Sequence, residues 1–350
     1  MNKHRYKKLS EQVVVITGAS SGIGLCTAKK AVEQGAKVVL AARNEDALKE
    51  ICDELNEEGT NAVYVAADVG DEEDVQAIAD KAIETFGGFD TWINNAGVVV
   101  YSELEDLPMK DHQRIFQTNY WGVVYGSQAA QNHFKQRDGG GVIINVGSIN
   151  SQMPVPILGA YSASKAAVKA YSDVMRMELS HEKAPVAVTV VMPSGISTPI
   201  SAHGKTHTGD EGKVMPPLYD PNLVADAILT AAQKKVRDVT IGEAGKANVM
   251  AWAAFPSAMG KFLGFALPKA QSTGDPPTEG DNLHTPDKDG DIYLGGERHG
   301  IPVSPYTKAR LHPGITFGLG VAVATGIVVC AAKKRNLFKR EKRHWTKRFK

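Results

Sequence analysis

Cysteine is scarce in this chain. Three in 350 residues (Cys26, Cys52 and Cys330), far apart in sequence, cannot build a disulfide scaffold and point to a reducing compartment. The combination of low hydrophobicity and high net charge that keeps a chain disordered is also missing, since 43% of residues are apolar and the formal net charge is +1. A mean hydropathy of −0.22 excludes a polytopic membrane protein. Met1–Gln12 has neither an apolar run nor a small-residue cleavage site, so no signal peptide is read there. No internal repeat is visible. The near-neutral charge is itself deceptive. Residues 333–350 hold ten Lys/Arg against Glu341 alone and residues 1–10 add four more, which leaves −12 on the rest. An acidic body argues against a nucleic-acid-binding core and sets the C-terminus apart.

What is present is alternation. Short runs rich in Val and Ile occur at Val13–Thr17, Lys37–Ala41, Ala62–Ala66, Thr91–Asn94, Gly141–Val146, Val186–Met192 and Asp238–Gly242. They are continuous rather than alternating, as strands buried on both faces must be. Between them lie amphipathic stretches of helical length such as Glu45–Glu58 and Asp71–Phe86. This order predicts an α/β doubly wound parallel sheet of about seven strands with helices on both faces. The expected organisation is a basic lead (1–11), the sheet domain (12–245), a helical extension (246–270), a flexible linker (271–313), a hydrophobic helix (314–332) and a basic tail (333–350). Within the extension, Ala247–Leu267 is broken by Pro256 and predicts one or two helices packed on the sheet domain.

The first strand runs into Thr17-Gly18-Ala19-Ser20-Ser21-Gly22-Ile23-Gly24. Glycines placed between a strand and a helix permit a tight turn and let backbone N–H groups approach a pyrophosphate. Further along stand Asn94-Asn95-Ala96-Gly97, Asn119, Ser148 and Tyr161-Ser162-Ala163-Ser164-Lys165. These five elements, in this order over residues 10–245, resemble the short-chain dehydrogenase/reductase family, whose domain is a Rossmann-type fold. The resemblance implies a nicotinamide dinucleotide held by Gly18, Ser20, Ser21, Gly22, Ile23 and Gly24, with Asp68 and Val69 flanking the adenine and Asn95 and Gly97 lining the cleft. An acid at the end of the second strand would grip the ribose hydroxyls of NAD and repel a 2′-phosphate. Ala42 stands there instead, followed by Arg43, which predicts NADP(H).

Four residues form the expected catalytic set. Tyr161 would exchange a proton with the substrate oxygen, and Lys165, one helical turn on, shares its face and should depress its pKa. By resemblance Lys165 also holds the nicotinamide ribose, Ser148 hydrogen-bonds the substrate oxygen, and Asn119 fixes a water in a proton relay. Pro193 and Thr198 should contact the nicotinamide, although Pro193 is followed by Ser194 where the family has Gly, and Gly195 comes one place later. His203 and His207 have the spacing of helical metal ligands, but Gly204 interrupts them and no third ligand is evident, so no metal is expected. The substrate site should be bounded by Ile149–Ala160, by Tyr120 and Trp121, and by the loop from Ile196 to Leu218. Met153, Val155, Ile157 and Leu158 make that wall apolar and suggest a lipophilic carbonyl.

Ile315–Ala332 contains no charge and is followed by Lys333-Lys334-Arg335. Eighteen helical residues reach about 27 Å, close to a hydrocarbon core of about 30 Å. This segment is therefore expected to cross or enter a membrane, with Trp345, Phe349 and the basic residues at an anionic surface and the catalytic domain on the cytoplasmic side. Gly314 and Gly318 would permit close helix pairing. The expected partners are a small alcohol or carbonyl, a membrane and a second copy of the chain, with no nucleic acid. The alternative function is a membrane-associated nucleotide-binding regulator or scaffold with little catalysis.

Overall fold

Seven parallel strands occupy the hydrophobic runs: β1 (Val13–Thr17), β2 (Lys37–Ala42), β3 (Ala62–Ala66), β4 (Thr91–Asn94), β6 (Gly141–Val146), β7 (Val186–Pro193) and β9 (Asp238–Ile241). The computed structural model describes residues 4–277, 281–286 and 290–312. The chain divides into two compact units, 1–307 and 308–350, and the sheet lies wholly in the first. The expected hydrophobic helix and basic tail (314–350) lie outside the described residues. Among the described residues no helix is long and apolar enough to cross a membrane.

The strand order is β3-β2-β1-β4-β6-β7-β9. Register pairs Val15 with Val39 on one side and with Trp92 on the other, and Ile143 with Trp92 and Val188. Val14, Val15, Ile16, Val39, Ile93 and Ile143 have no exposed surface, which explains why these strands carry no polar alternation. The order reverses between β1 and β4. Neighbouring crossovers diverge there and open a crevice at the carboxyl ends of the strands, where ligands bind in such sheets.

Helices α1 (Gly22–Glu33), α2 (Glu45–Leu55), α3 (Glu72–Phe86), α4 (Met109–Phe116), α5 (Gly122–Lys135), α6 (Gly159–Glu182) and α7 (Pro221–Gln233) flank the sheet. Their ends obey local chemistry. Asn44 accepts from the Ala47 N–H at the start of α2, and Asp71 accepts from Glu73 N–H at 2.8 Å at the start of α3. Gly87 closes α3 in the left-handed region at φ 77°.

Two features depart from the expectations, and the two-helix form of the extension falls within them. A two-residue parallel ladder, β5 (Val100–Tyr101) with β8 (Lys205–Thr206), is too short to leave a sequence pattern. The extension forms two helices, α8 (Glu243–Ala254) and α9 (Pro256–Ala270), because Pro256 suits the first turn of a helix but not its interior. Val249 and Leu263 from this pair pack on Met153. Within the expected flexible linker (271–313), the residues described from 271 to 304 make contacts with the sheet domain instead. Ser272 bridges to Gly212, Ile301 bridges to Tyr219, and Leu283 is fully buried. Helix α10 (Pro305–Leu311) follows.

Candidate active site

The turn after β1 is built so that side chains are excluded from it. Gly18 stands at φ 63°, and a Cβ there would lie 2.7 Å from the Ala96 Cα. At Gly24 a Cβ would meet the Gly18 carbonyl oxygen at 2.0 Å, so only glycine lets α1 begin this close to β1. Asn95 clamps the turn from the neighbouring strand end: its Nδ2 donates to the carbonyls of Thr17 and Gly18, each at 3.0 Å. Thr17 Oγ1 accepts from the N–H groups of Asn95 and Ala96 in return. No acidic residue stands in the first turn of α1, and Ser21 is its N-cap. Such a turn fits a pyrophosphate, which needs backbone N–H groups and the positive end of a helix.

Arg43 emerges just beyond β2 and lines the same cavity as Gly18, Ser20, Ser21 and Ile23. Asp68 and Val69 line it as well. Burial alone would raise the Asp68 pKa. The hydrogen bond from Arg114 at 2.5 Å, the Gly70 N–H and the charges of Arg114 and Arg43 outweigh it and hold the carboxylate below its ordinary range.

On the other side of the crevice, β6 leads into Ser148, whose Oγ caps the short turn Ile149–Ser151 by accepting from the Asn150 N–H at 3.1 Å. Tyr161 sits in the first turns of α6 and is hydrogen-bonded to Ser148. Lys165 follows one turn later, its Nζ 5.8 Å from the centre of the Tyr161 ring and donating to the Val146 carbonyl at 3.0 Å. Burial pushes the Lys165 pKa down to about 8. Burial also pushes the Tyr161 phenol upward, against a smaller downward pull from Ser148. The expected depression of the phenol does not emerge in the protein alone: desolvation outweighs the Ser148 hydrogen bond, and Tyr161 stays protonated near neutrality.

Ser148, Tyr161, Lys165, Pro193 and Thr198 face a cavity of about 450 Å³ that also reaches the glycine turn, Asn95 and Gly97. Two of the expected residues stand behind its wall. Gly24 serves the packing just described. Asn119 is fully buried in the π-type turn Gln117–Trp121, where its side chain takes both polar groups of Val98 (2.8 and 3.0 Å) and reaches Ser164 Oγ at 3.2 Å. It stays near the chemistry, because a Cβ on Gly97 would lie 3.4 Å from Asn119 Oδ1 and 3.5 Å from Lys165 Nζ. The irregular Pro193-Ser194-Gly195 loop is tied back to β9, with Ser194 Oγ donating to the Ile241 carbonyl at 2.7 Å.

The substrate side needs correction. Met153, Val155 and Leu158 line the cavity, but Ile157 turns away to pack with Val99 and Tyr101. Tyr120 and Trp121 do not line it; they lie against Tyr171 and Tyr125. His203 lines the cavity whereas His207 pairs with Asp111, and no helix joins the two histidines. Among the described residues no cluster of metal-ligating side chains forms. Asn248, Met259, Leu263, Leu267 and Gln271, from α8, α9 and the residue after it, close the cavity and were not anticipated. The apolar, aromatic composition of Ala247–Leu267 was their only trace in the sequence.

A family model described as short chain dehydrogenase matches residues 12–208. The chain is 43% identical over 336 residues to the uncharacterized oxidoreductase YxnA of Bacillus subtilis (strain 168), which covers 95% of this chain and 93% of that protein. Among solved structures, a short chain dehydrogenase/reductase from Burkholderia phymatum in complex with NAD is similar at a TM-score of 0.66 and 26% identity, over 72% of this chain and 96% of that one. A short chain dehydrogenase from Burkholderia cenocepacia J2315 in complex with NADP is similar at 0.61 and 27% identity, over 73% of this chain and 99% of the other. The shared fold is thus compatible with either dinucleotide.

Proposed function

The chain belongs to the short-chain dehydrogenase family, and from that membership we propose that it is an NADP(H)-dependent oxidoreductase acting on a lipophilic alcohol/carbonyl pair. One observation carries the proposal: Ser148, Tyr161 and Lys165 open onto the same cavity as the glycine turn of β1 and α1. When bound, the dinucleotide supplies or accepts the hydride at the substrate carbon. Ser148 orients the substrate oxygen by a hydrogen bond. Tyr161, kept protonated by its burial, donates a proton to that oxygen as it gains charge. Lys165, protonated below about pH 8, stabilises the phenolate that this step leaves and returns a proton to it. Asn119 holds the Val98 backbone against this group of residues, and we assign it a positioning role in the proton relay.

The preference for NADP rests on Ala42 and Arg43. No carboxylate stands at the end of β2 to repel a 2′-phosphate, and a guanidinium is at hand to bind it. The lipophilic substrate class rests on the apolar side chains from two sources, Met153, Val155 and Leu158 on one side and Met259, Leu263 and Leu267 on the other. Sites of this composition reward burial of apolar ligand surface.

Membrane association through 315–332 and the basic tail, with the catalytic domain on the cytoplasmic side, belongs to the same proposal. Its support is the uncharged composition of Ile315–Ala332. The exposure of Phe255, Phe262 and Phe265 at α9, among Lys246, Lys261 and Lys269 with no acid from 244 to 270, points the same way. A homo-oligomer is expected as well, with exposed Trp121 available to an interface. No observation favours a regulator without catalysis.

The test is direct. Purified protein is offered NADPH or NADH with a panel of aldehydes and ketones of increasing lipophilicity. Specificity constants should rise with lipophilicity and be at least tenfold higher with NADPH. Coenzyme consumption on no member of the panel would overturn the catalytic assignment.

A further inference from the structure

Two stretches beyond α9 hold opposite sides of the coenzyme crevice. On the α4 side, the Asn282 N–H donates to the His203 carbonyl at 3.0 Å, and the Asn282 and Leu283 carbonyls both accept from the Arg43 guanidinium. Leu283 also accepts from Arg114 Nε at 2.9 Å. Its side chain is fully buried among Val98, Val100, Ile115 and Ala160. His284 Nε2 pairs with Asp111 Oδ1 at 2.7 Å, while the other oxygen of this buried carboxylate takes His207 at 2.9 Å. On the α1 side, the Asp291 carbonyl accepts from the Gly22 N–H at 2.9 Å. Tyr293 accepts from Asn222 Nδ2 at 2.9 Å, and Arg298 pairs with Asp220 at 2.9 Å.

Two of the groups so engaged, Arg43 and the Gly22 N–H, lie in the part of the crevice assigned above to the phosphates of the coenzyme. The strap does not fill that space. Asn282 and Pro286 line the cavity of about 450 Å³ together with Gly18 and Ile23, so they form a wall over open volume. These carbonyl groups orient the guanidinium, so Arg43 is held in place at the cavity wall. We propose that residues 281–286, with Asp291 on the far side, form a clasp that closes the adenosine end of the crevice over a bound dinucleotide and must release for it to exchange. This proposal rests on the assignment of a dinucleotide to the crevice, but not on which dinucleotide it is.

The experiment measures NADPH release from the protein by stopped-flow fluorescence after a chase with excess NADP⁺, alongside hydrogen exchange of the strap amides. The double variant Leu283→Ala, His284→Ala weakens the anchor on the α4 side. A second, Tyr293→Phe with Arg298→Ala, loosens the opposite anchor without touching a buried apolar residue. Each should raise the NADPH release rate at least tenfold and speed exchange of amides 281–285, while NADPH should slow that exchange in the unaltered protein. Faster strap exchange with an unchanged release rate would overturn the proposal. So would variants that only speed binding, which would make the strap a competitor of the coenzyme. Repeating the chase with NADH separates the two assignments: equal acceleration for both dinucleotides with equal affinities keeps the clasp and removes the NADP preference. An unaltered protein that binds neither dinucleotide removes both.

Discussion

Lys165 donates to the carbonyl of Val146 at 3.0 Å, and this bond fixes a buried ammonium at the end of the strand that delivers Ser148. Lys165 is 3% exposed and its pKa falls from 10.5 to about 8. The fold therefore carries an electrostatic cost at the centre of its chemistry.

Removing that charge should stabilise the protein. Lys165→Met keeps the stem of the side chain, and at 1.36 kcal/mol per pKa unit the gain at pH 7 is expected at up to about 3 kcal/mol, with turnover lost. Chemical denaturation of both proteins without coenzyme measures it. A variant less stable than its parent at pH 7 would show that the Val146 bond outweighs the cost of burial.

The same residue sets a pH dependence of stability. Below about pH 8 the lysine is charged in both folded and unfolded chains, and the burial cost is fully present. Between about 8 and 10.5 the unfolded chain binds a proton that the native one does not, so this group's contribution to stability rises with pH. The advantage of Lys165→Met should therefore shrink across that window. An advantage that stays constant from pH 7 to 10 contradicts the assignment.

Tyr161→Phe keeps the ring and removes the proton. Turnover should fall by about 10²–10⁴ or more, with dinucleotide affinity changed less than threefold. Calorimetric binding and steady-state rates together decide it, and near-parental turnover would move the acid to another group.

Arg43→Ala should weaken NADPH binding at least tenfold more than NADH binding, because both lose the guanidinium's hold on the strap but only NADPH loses a charge-assisted contact to its extra phosphate. A parallel loss for both dinucleotides would mean that Arg43 acts by holding the strap at Asn282 and Leu283 rather than by reading the phosphate.

Membrane attachment is checked by sedimentation. Protein expressed with 314–350 should pellet with membranes and resist washing at 1 M salt, where the Debye length is about 3 Å and a purely ionic attachment is screened. A version ending at Leu311 should leave the pellet. Release of the longer protein by salt alone would reduce the attachment to its basic tail.

Local physics made much of this protein legible in advance. Val13–Thr17 and Gly141–Val146 were readable as strands because burial on both faces demands unbroken apolar runs, and the turn Gly18–Gly24 because close backbone approach leaves no room for a Cβ. Tyr161 and Lys165 were readable as a pair because helical spacing puts them on one face. Tertiary structure alone decided the rest. Tyr120 and Trp121 were expected at the substrate and lie on another surface, since a short sequence distance from Asn119 does not fix which way a helix face points. The phenol of Tyr161 shifts upward because burial, a property of the whole surround, outweighs the one hydrogen bond from Ser148. Leu263 and Leu283 come to the cavity wall and the core from segments whose composition signals only an apolar helix and a loop. Contacts made across more than a hundred residues leave no periodicity in either partner, so the sequence shows the catalytic centre and the fold shows what encloses it.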